Sequence, residues 1–152
     1  MLFFFGMEKQ TTRRSVRFSE AGLLGLKYQN SLELAKKVEK GLSYSSFEKV
    51  SKSTGLPLES LRMAVGISPR TMSRRRLEKK LSPAESDRLV SVSRLLSLSI
   101  DLFEGNVEGA IRWFTRPNRA LGRITPLEAS TTEVGAREVE NLIGRLEHGV
   151  FS

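Results

Sequence analysis

The sequence predicts an all-α protein: a helix-turn-helix bundle followed by a second, small helical segment. Three observations carry that prediction. No stretch shows the apolar/polar alternation of a strand bounded by hairpin signals. Apolar residues recur instead at three- and four-residue steps. These runs are punctuated by Ser/Thr-x-x-Glu starts and by glycine stops.

In chain order, residues 1–30 lack clear periodicity and read as a flexible arm. Residues 31–40 read as a helix with Leu32, Ala35 and Val38 inward and Gly41 as its stop. Ser45 or Ser46 can cap the next helix, with Phe47 and Val50 inward and Gly55 at its end. Pro57 fits a first helical position, and Leu58, Leu61 and Val65 follow it. Gly66-Ile67-Ser68-Pro69 makes a short turn, in which Ser68 can cap and Pro69 can open the next helix. Ser82-Pro83-Ala84-Glu85 is a capping box that starts a long helix with the stripe Leu89, Val92, Leu96, Ile100 and Phe103. Gly105 and Asn106 end that helix, and a short one follows over residues 107–114. A Pro/Gly loop leads to a second capping box, Thr125 to Glu128. The last helix, residues 135–148, puts Val139, Ile143 and Leu146 on one face, with Gly149 as its stop. The expected layout is an arm over 1–30, a helix-turn-helix domain over 31–81, and a helical domain over 82–152. The first six residues are too few and carry the wrong flanks for a signal peptide or a membrane span, and Met7 is an alternative start.

Composition narrows the function. There are no cysteines among the 152 residues, which excludes disulfides, thiolate metal sites and cysteine nucleophiles and fits a reducing cytoplasm. A single histidine, His148, leaves little for a metal cage. Residues 1–80 carry 17 Lys/Arg against 7 Asp/Glu, while residues 81–152 carry 8 against 10. The front half therefore suits a polyanion, nucleic acid above all, and the back half a different task. A catalytic role lacks its parts. Glu147 and His148 are adjacent on a helix and do not face each other. No phosphate-cradling glycine loop, metal-ligand spacing or nucleophile elbow occurs. The reading is a non-enzyme with no cofactor and no metal.

The run Leu61 to Arg74 has the form of a helix-turn-helix, with Gly66 in the turn and Ile67 as the plug between two helices. At about 100° per residue, Met72 faces the core with Arg76 at its edge, and Arg70 and Arg74 point the opposite way. Arg70, Thr71 and Arg74 are expected to approach base edges; Arg75, Lys79 and Lys80 are expected to meet phosphates. Ser68, at the helix N-terminus, completes the expected DNA-binding set. One residue departs from the usual pattern: Arg62 stands four before the glycine, where a small residue normally lets the helices pack closely.

Residues 113–128, Trp-Phe-Thr-Arg-Pro-Asn-Arg-Ala-Leu-Gly-Arg-Ile-Thr-Pro-Leu-Glu, set large aromatics beside turn residues. Adjacent helical residues diverge by about 100°, so one of Trp113 and Phe114 should point inward and the other lie near the surface. Trp113, Pro117, Asn118, Ala120, Leu121, Gly122, Pro126, Leu127, Glu128, Gly135, Val139, Leu142, Glu147, Gly149 and Val150 together resemble the C-terminal toxin-binding domain of the Xre/MbcA/ParS family of bacterial antitoxins. From about residue 45 onward the chain is similar to that family. The resemblance implies a Cro/Xre-like helix-turn-helix N-terminal bundle followed by a small helical toxin-binding domain. It implies a type II antitoxin that occludes a toxin, in the family an NAD-consuming RES-domain enzyme or a related ADP-ribosyltransferase. It also implies binding of operator DNA to repress its own operon, as a homodimer through the N-terminal domain. Carried over residue by residue, it assigns toxin contact to Trp113, Arg116, Pro117, Asn118, Arg119, Leu121, Gly122 and Arg123, and to Glu147, Gly149, Val150 and Phe151. Two other classes fit the residues: a helix-turn-helix regulator with a C-terminal dimerisation domain and no toxin, and an interaction bundle whose basic face binds no DNA.

Overall fold

A computed structural model describes residues 18–149. The expectations for residues 1–6, Met7, Val150 and Phe151 fall outside the described residues. Within them the chain runs α1 (Glu20–Leu24), α2 (Ser31–Lys40), α3 (Tyr44–Thr54), α4 (Leu58–Val65), α5 (Pro69–Glu78), α6 (Pro83–Leu102), α7 (Val107–Phe114), a 3-10 turn (Arg119–Leu121), α8 (Pro126–Ala129) and α9 (Glu133–Glu147). No strand forms among the described residues; two isolated antiparallel bridges join Ser43 to Lys80 and Asn118 to Ile124. The protein is all-α, as its periodicity predicts. None of the described helices is long and apolar enough to cross a membrane.

Short polar side chains start the helices by taking up N–H groups that have no partner inside the helix. Ser68 accepts from the Thr71 amide at 3.1 Å. At Ser82 the box is reciprocal: the Glu85 amide donates to Ser82 Oγ at 3.1 Å, and the Ser82 amide to Glu85 Oε1 at 2.8 Å. Thr125 makes only the hydroxyl half of its box, accepting from the Glu128 amide at 2.9 Å.

Helix α6 is the spine. It packs on α1, α2, α3 and α4 and also on α7 and α9. Its stripe Leu89, Val92, Leu96 and Ile100 is buried, and one core runs from Leu23 to Ile143 without a break. Burying each such side chain contributes about 1.5–3 kcal/mol. Ser82 therefore opens a helix that both halves of the chain share. Arg88 adds a polar tie across it: one guanidinium nitrogen donates to the Ser130 carbonyl at 2.7 Å and to the Ala64 carbonyl at 3.4 Å.

The structure corrects several local expectations. Part of the supposed arm is built in: Leu23 and Leu24 of α1 are fully buried, held under α3 and α6. A lone turn of five residues shows too little periodicity to be read from sequence. In α2 the inward residue is Leu34, backed by half-buried Val38, while Leu32 is 75% exposed. Residues 34 and 38 are four apart and share a direction, whereas the steps 32, 35 and 38 drift round the helix. Ser43, not Ser45 or Ser46, caps α3, and the Ser45 hydroxyl pairs with it at 2.9 Å. Pro57 stands one place before the first helical residue, and Leu58 is exposed.

Candidate functional site

The turn between α4 and α5 is built as a rigid corner. Gly66 takes a left-handed conformation (φ 79°) that a side chain would strain, and its amide donates to the Arg62 carbonyl at 3.0 Å. Ile67 is buried between the two helices. Arg62 explains its own presence: its guanidinium donates to the Ile67 carbonyl and pairs with the Glu59 carboxylate. The hydrogen bond from Arg62 holds the Glu59 carboxyl below its ordinary value. A long cation thus braces the turn where a small residue would have allowed closer helix packing.

Helix α5 has no fully buried residue; only Met72 is packed against the core from its inner side. Arg75 leaves the expected phosphate-binding set. Its side chain is 18% exposed, and it donates to Glu85 at 2.7 Å and Glu78 at 3.1 Å. Two carboxylates neutralise it, and its position on the same side as Met72 aims it at α6 rather than at solvent. Burial alone would push the Glu85 carboxyl up. Hydrogen bonds from Arg75 and from the Ser82 amide outweigh this and hold it below the usual carboxylate range. The Ser68 hydroxyl donates to Thr71 Oγ1 at 3.0 Å, so both expected contact residues also serve the helix cap.

The outer strip of α5 carries what remains. Arg70 is exposed and has no ion partner among the described residues. Arg74 is exposed, with Glu78 at 3.8 Å. Ser73 and Leu77 lie on the same strip, and the reading from sequence had passed over both. Lys79 ends the helix in a left-handed conformation (φ 61°), and Lys80 follows. Their backbone is pinned to the start of α3: the Tyr44 amide donates to the Lys79 carbonyl at 3.2 Å and the Leu81 amide to the Leu42 carbonyl at 2.8 Å. Both lysine side chains remain exposed.

The loop after α7 stands on the core. Phe114 is fully buried, and Trp113 is half-buried against Phe103, with ring centroids 6.3 Å apart. Asn118 closes the loop. Its amide donates to the Ile124 carbonyl at 2.9 Å, its side-chain oxygen accepts from Ala120 at 2.9 Å, and its carbonyl accepts from Leu121 at 3.1 Å and Arg123 at 2.9 Å. Arg116, Arg119 and Arg123 project from this frame, exposed and without ion partners among the described residues, as does Arg112 just before it. Arg94 and Arg137 of this half are ion-paired instead, with Glu140 and Glu133. Beside the loop, Leu121, Ile124 and Ala129 line a shallow groove of 490 Å³ whose far wall is Gly135 and Glu138. A Cβ on Gly135 would overlap the Ala129 carbonyl, so only glycine lets α9 begin this close to α8.

Of the second half of the expected contact set, Glu147 and Gly149 are among the described residues. Glu147 ends α9, about 18 Å along the helix from Gly135 at about 1.5 Å per residue. It sits near Asp101, whose carboxyl is raised first by burial and then by the charge of Glu147.

Residues 33–94 match the antitoxin Xre-like helix-turn-helix domain, and residues 99–149 match the antitoxin Xre/MbcA/ParS C-terminal toxin-binding domain. An antitoxin Xre of Yersinia enterocolitica is 35% identical over 130 residues, spanning 85% of this chain and 88% of its own length. The chain belongs to the Xre antitoxin family. An antitoxin Xre of Photorhabdus laumondii is 45% identical over 93 residues, 60% of this chain and 62% of that one. One from Pseudomonas putida is 29% identical over 77 residues, 51% and 48% of the two chains.

Set on the Xre family frame, α4, the turn and α5 fall in the helix-turn-helix match, and the braced loop and α9 in the toxin-binding match. The interval between the two matches lies inside α6, the helix both halves share. Ser73 and Leu77 were legible by counting three and seven residues on from Arg70. The groove was not, because it depends on the approach of α8 to α9.

Proposed function

We propose that this Xre-family chain is the antitoxin of a type II pair: it covers the active-site cleft of an NAD-consuming RES-type toxin and represses its own operon. It catalyses nothing; occlusion is steric. The reading is supported above all by the pairing of two outward basic surfaces, one before α6 in the chain and one after it. The α5 strip presents Arg70 and Arg74 as a straight row suited to base edges in a major groove, with Thr71 at its flank and Lys79 and Lys80 beside it for phosphates. The loop presents Arg116, Arg119 and Arg123 exposed, and its Leu121 and Ile124 line a shallow groove, a surface suited to a protein. DNA is bound as a homodimer through the N-terminal domain, one α5 per half-site. Val150 and Phe151 supply an apolar anchor beside the toxin's NAD site; burying one phenylalanine is worth about 1.5–3 kcal/mol.

The test is purification with the product of the adjacent reading frame, a tag on one partner only, followed by NAD consumption against added antitoxin. Co-elution with inhibition at stoichiometric antitoxin supports the reading. Elution alone, with retained DNA binding, would replace it by a regulator with no toxin. A chain lacking residues 150–152 should keep its melting temperature and inhibit more weakly; equal inhibition would remove the tail from the contact.

A further inference from the structure

Leu77 is the most exposed large apolar side chain among the described residues, at 84%. It is not a stray surface leucine in an arbitrary place. Helical spacing puts Leu77 and Arg74 on either side of Arg70, each turned from it by less than half a right angle. Ser73 lies a little further round, on the Leu77 side. The inward residues, Met72 and Arg75, point to the opposite side of the helix. Leu77 thus points away from the core, in line with Arg70 and Arg74. A second protein seated on Leu77 would have to cover those two arginines, one with no carboxylate partner among the described residues and one with a partner only at 3.8 Å. That costs desolvation of both charges. A DNA major groove takes all three side chains at once: guanidinium groups meet guanine edges, and an apolar side chain meets the C5-methyl of thymine.

We propose that Leu77 is a specificity-determining residue that reads a thymine methyl group in the operator half-site. The proposal rests on the DNA-binding reading above. Leu77 stands seven residues beyond Arg70, about 10 Å along the axis, so the thymine lies about three base pairs from the pair read by Arg70. Ser73, at the edge of the strip beyond Leu77, donates its hydroxyl to the Pro69 carbonyl at 3.3 Å and keeps its oxygen as an acceptor.

The experiment uses the full chain. Operator sequences are first selected from random duplexes. Each thymine is then replaced singly by deoxyuridine, which removes only the methyl group, and wild type and Leu77→Ala are titrated on every duplex. Leu77 is solvent-exposed and alanine is the best helix former, so the variant should fold as wild type does. In the wild type, one uridine position per half-site should weaken binding by about three- to tenfold. In Leu77→Ala the same position should have no effect, while Arg70→Ala should leave the uridine effect intact. If Leu77→Ala binds as tightly as wild type, or no thymine loses its methyl effect in the variant, the proposal is overturned. A shift of Leu77→Ala from dimer to monomer on gel filtration would overturn it in favour of a subunit contact. Failure of the wild type to select any sequence would sink the DNA-binding reading itself, a separate outcome.

Discussion

Helix α5 and the loop of residues 115–125 are both basic, exposed and rich in arginine, yet they are built in opposite ways. The helix buries no residue fully and is held by a serine cap, a glycine corner and a backbone bridge to α3 at its ends, and by Met72 and the Arg75–Glu85 pair along its inner side. The loop has no regular backbone beyond one 3-10 turn and is held from below, by Phe114 and Pro126 in the core and by Asn118 across its neck. Charges on the helix are partly neutralised within the chain, since Arg75 is committed to Glu85 and Glu78. Those on the loop are not. Positive charge alone therefore marks neither surface as a site. Arg75, held closely by two carboxylates of its own chain, braces the helix, whereas Arg70, Arg116, Arg119 and Arg123 have no carboxylate partner among the described residues.

The largest effect should expose the difference in support. Phe114→Ala removes the loop's footing and should cost about 3–5 kcal/mol in urea unfolding. Because the core is continuous, operator and toxin binding should fail together near the melting range. If loop function is lost with no loss of stability, the loop does not depend on the core as described. The next effect separates the two surfaces. Arg70→Ala or Arg74→Ala should each cost about 1–3 kcal/mol in operator binding and relax sequence choice. Arg119→Glu should leave operator binding alone and weaken the toxin complex. A variant on either surface that damages both activities at native stability would erase the comparison.

The division within α5 gives a smaller and sharper test. Arg75→Ala should lower stability by about 1–2 kcal/mol without changing the salt dependence of DNA binding. Lys79→Ala should do the reverse, reducing the slope of log K against log salt by about one phosphate contact, roughly 0.9. A drop in slope for Arg75→Ala would return it to the phosphate set. The smallest effect is on pH. Glu85 has its folded pKa below the unfolded value of about 4.3. Its contribution is complete above that value and is lost as pH falls through the folded one. Glu85→Gln should therefore lower the urea midpoint at pH 7 and narrow the gap between pH 7 and pH 3. An unchanged gap would show that other carboxylates govern acid unfolding.

Much of this was open to a reader of the chain. Period, caps and glycine stops placed α5, α6, α7 and the turn at Gly66, because each signal acts over four residues or fewer. The split between Trp113 and Phe114 followed from the angle of about 100° between adjacent helical residues. The inward face of α2, the burial of α1 and the capture of Arg75 did not follow from any local rule.

The local elements, the class of fold and the outward row of Arg70, Arg74 and Leu77 were carried in the residues, since helical spacing and capping are properties of neighbours in sequence. Three things awaited the assembled chain. Leu34 was chosen over Leu32 by the position of α6. Arg75 was withdrawn from solvent by Glu85, ten residues away on the next helix. The groove beside Ile124 exists because Gly135 lets α9 start against the end of α8. Each depends on which surfaces meet when one core is closed, and that is set by packing between elements, not by the order of residues within any one of them.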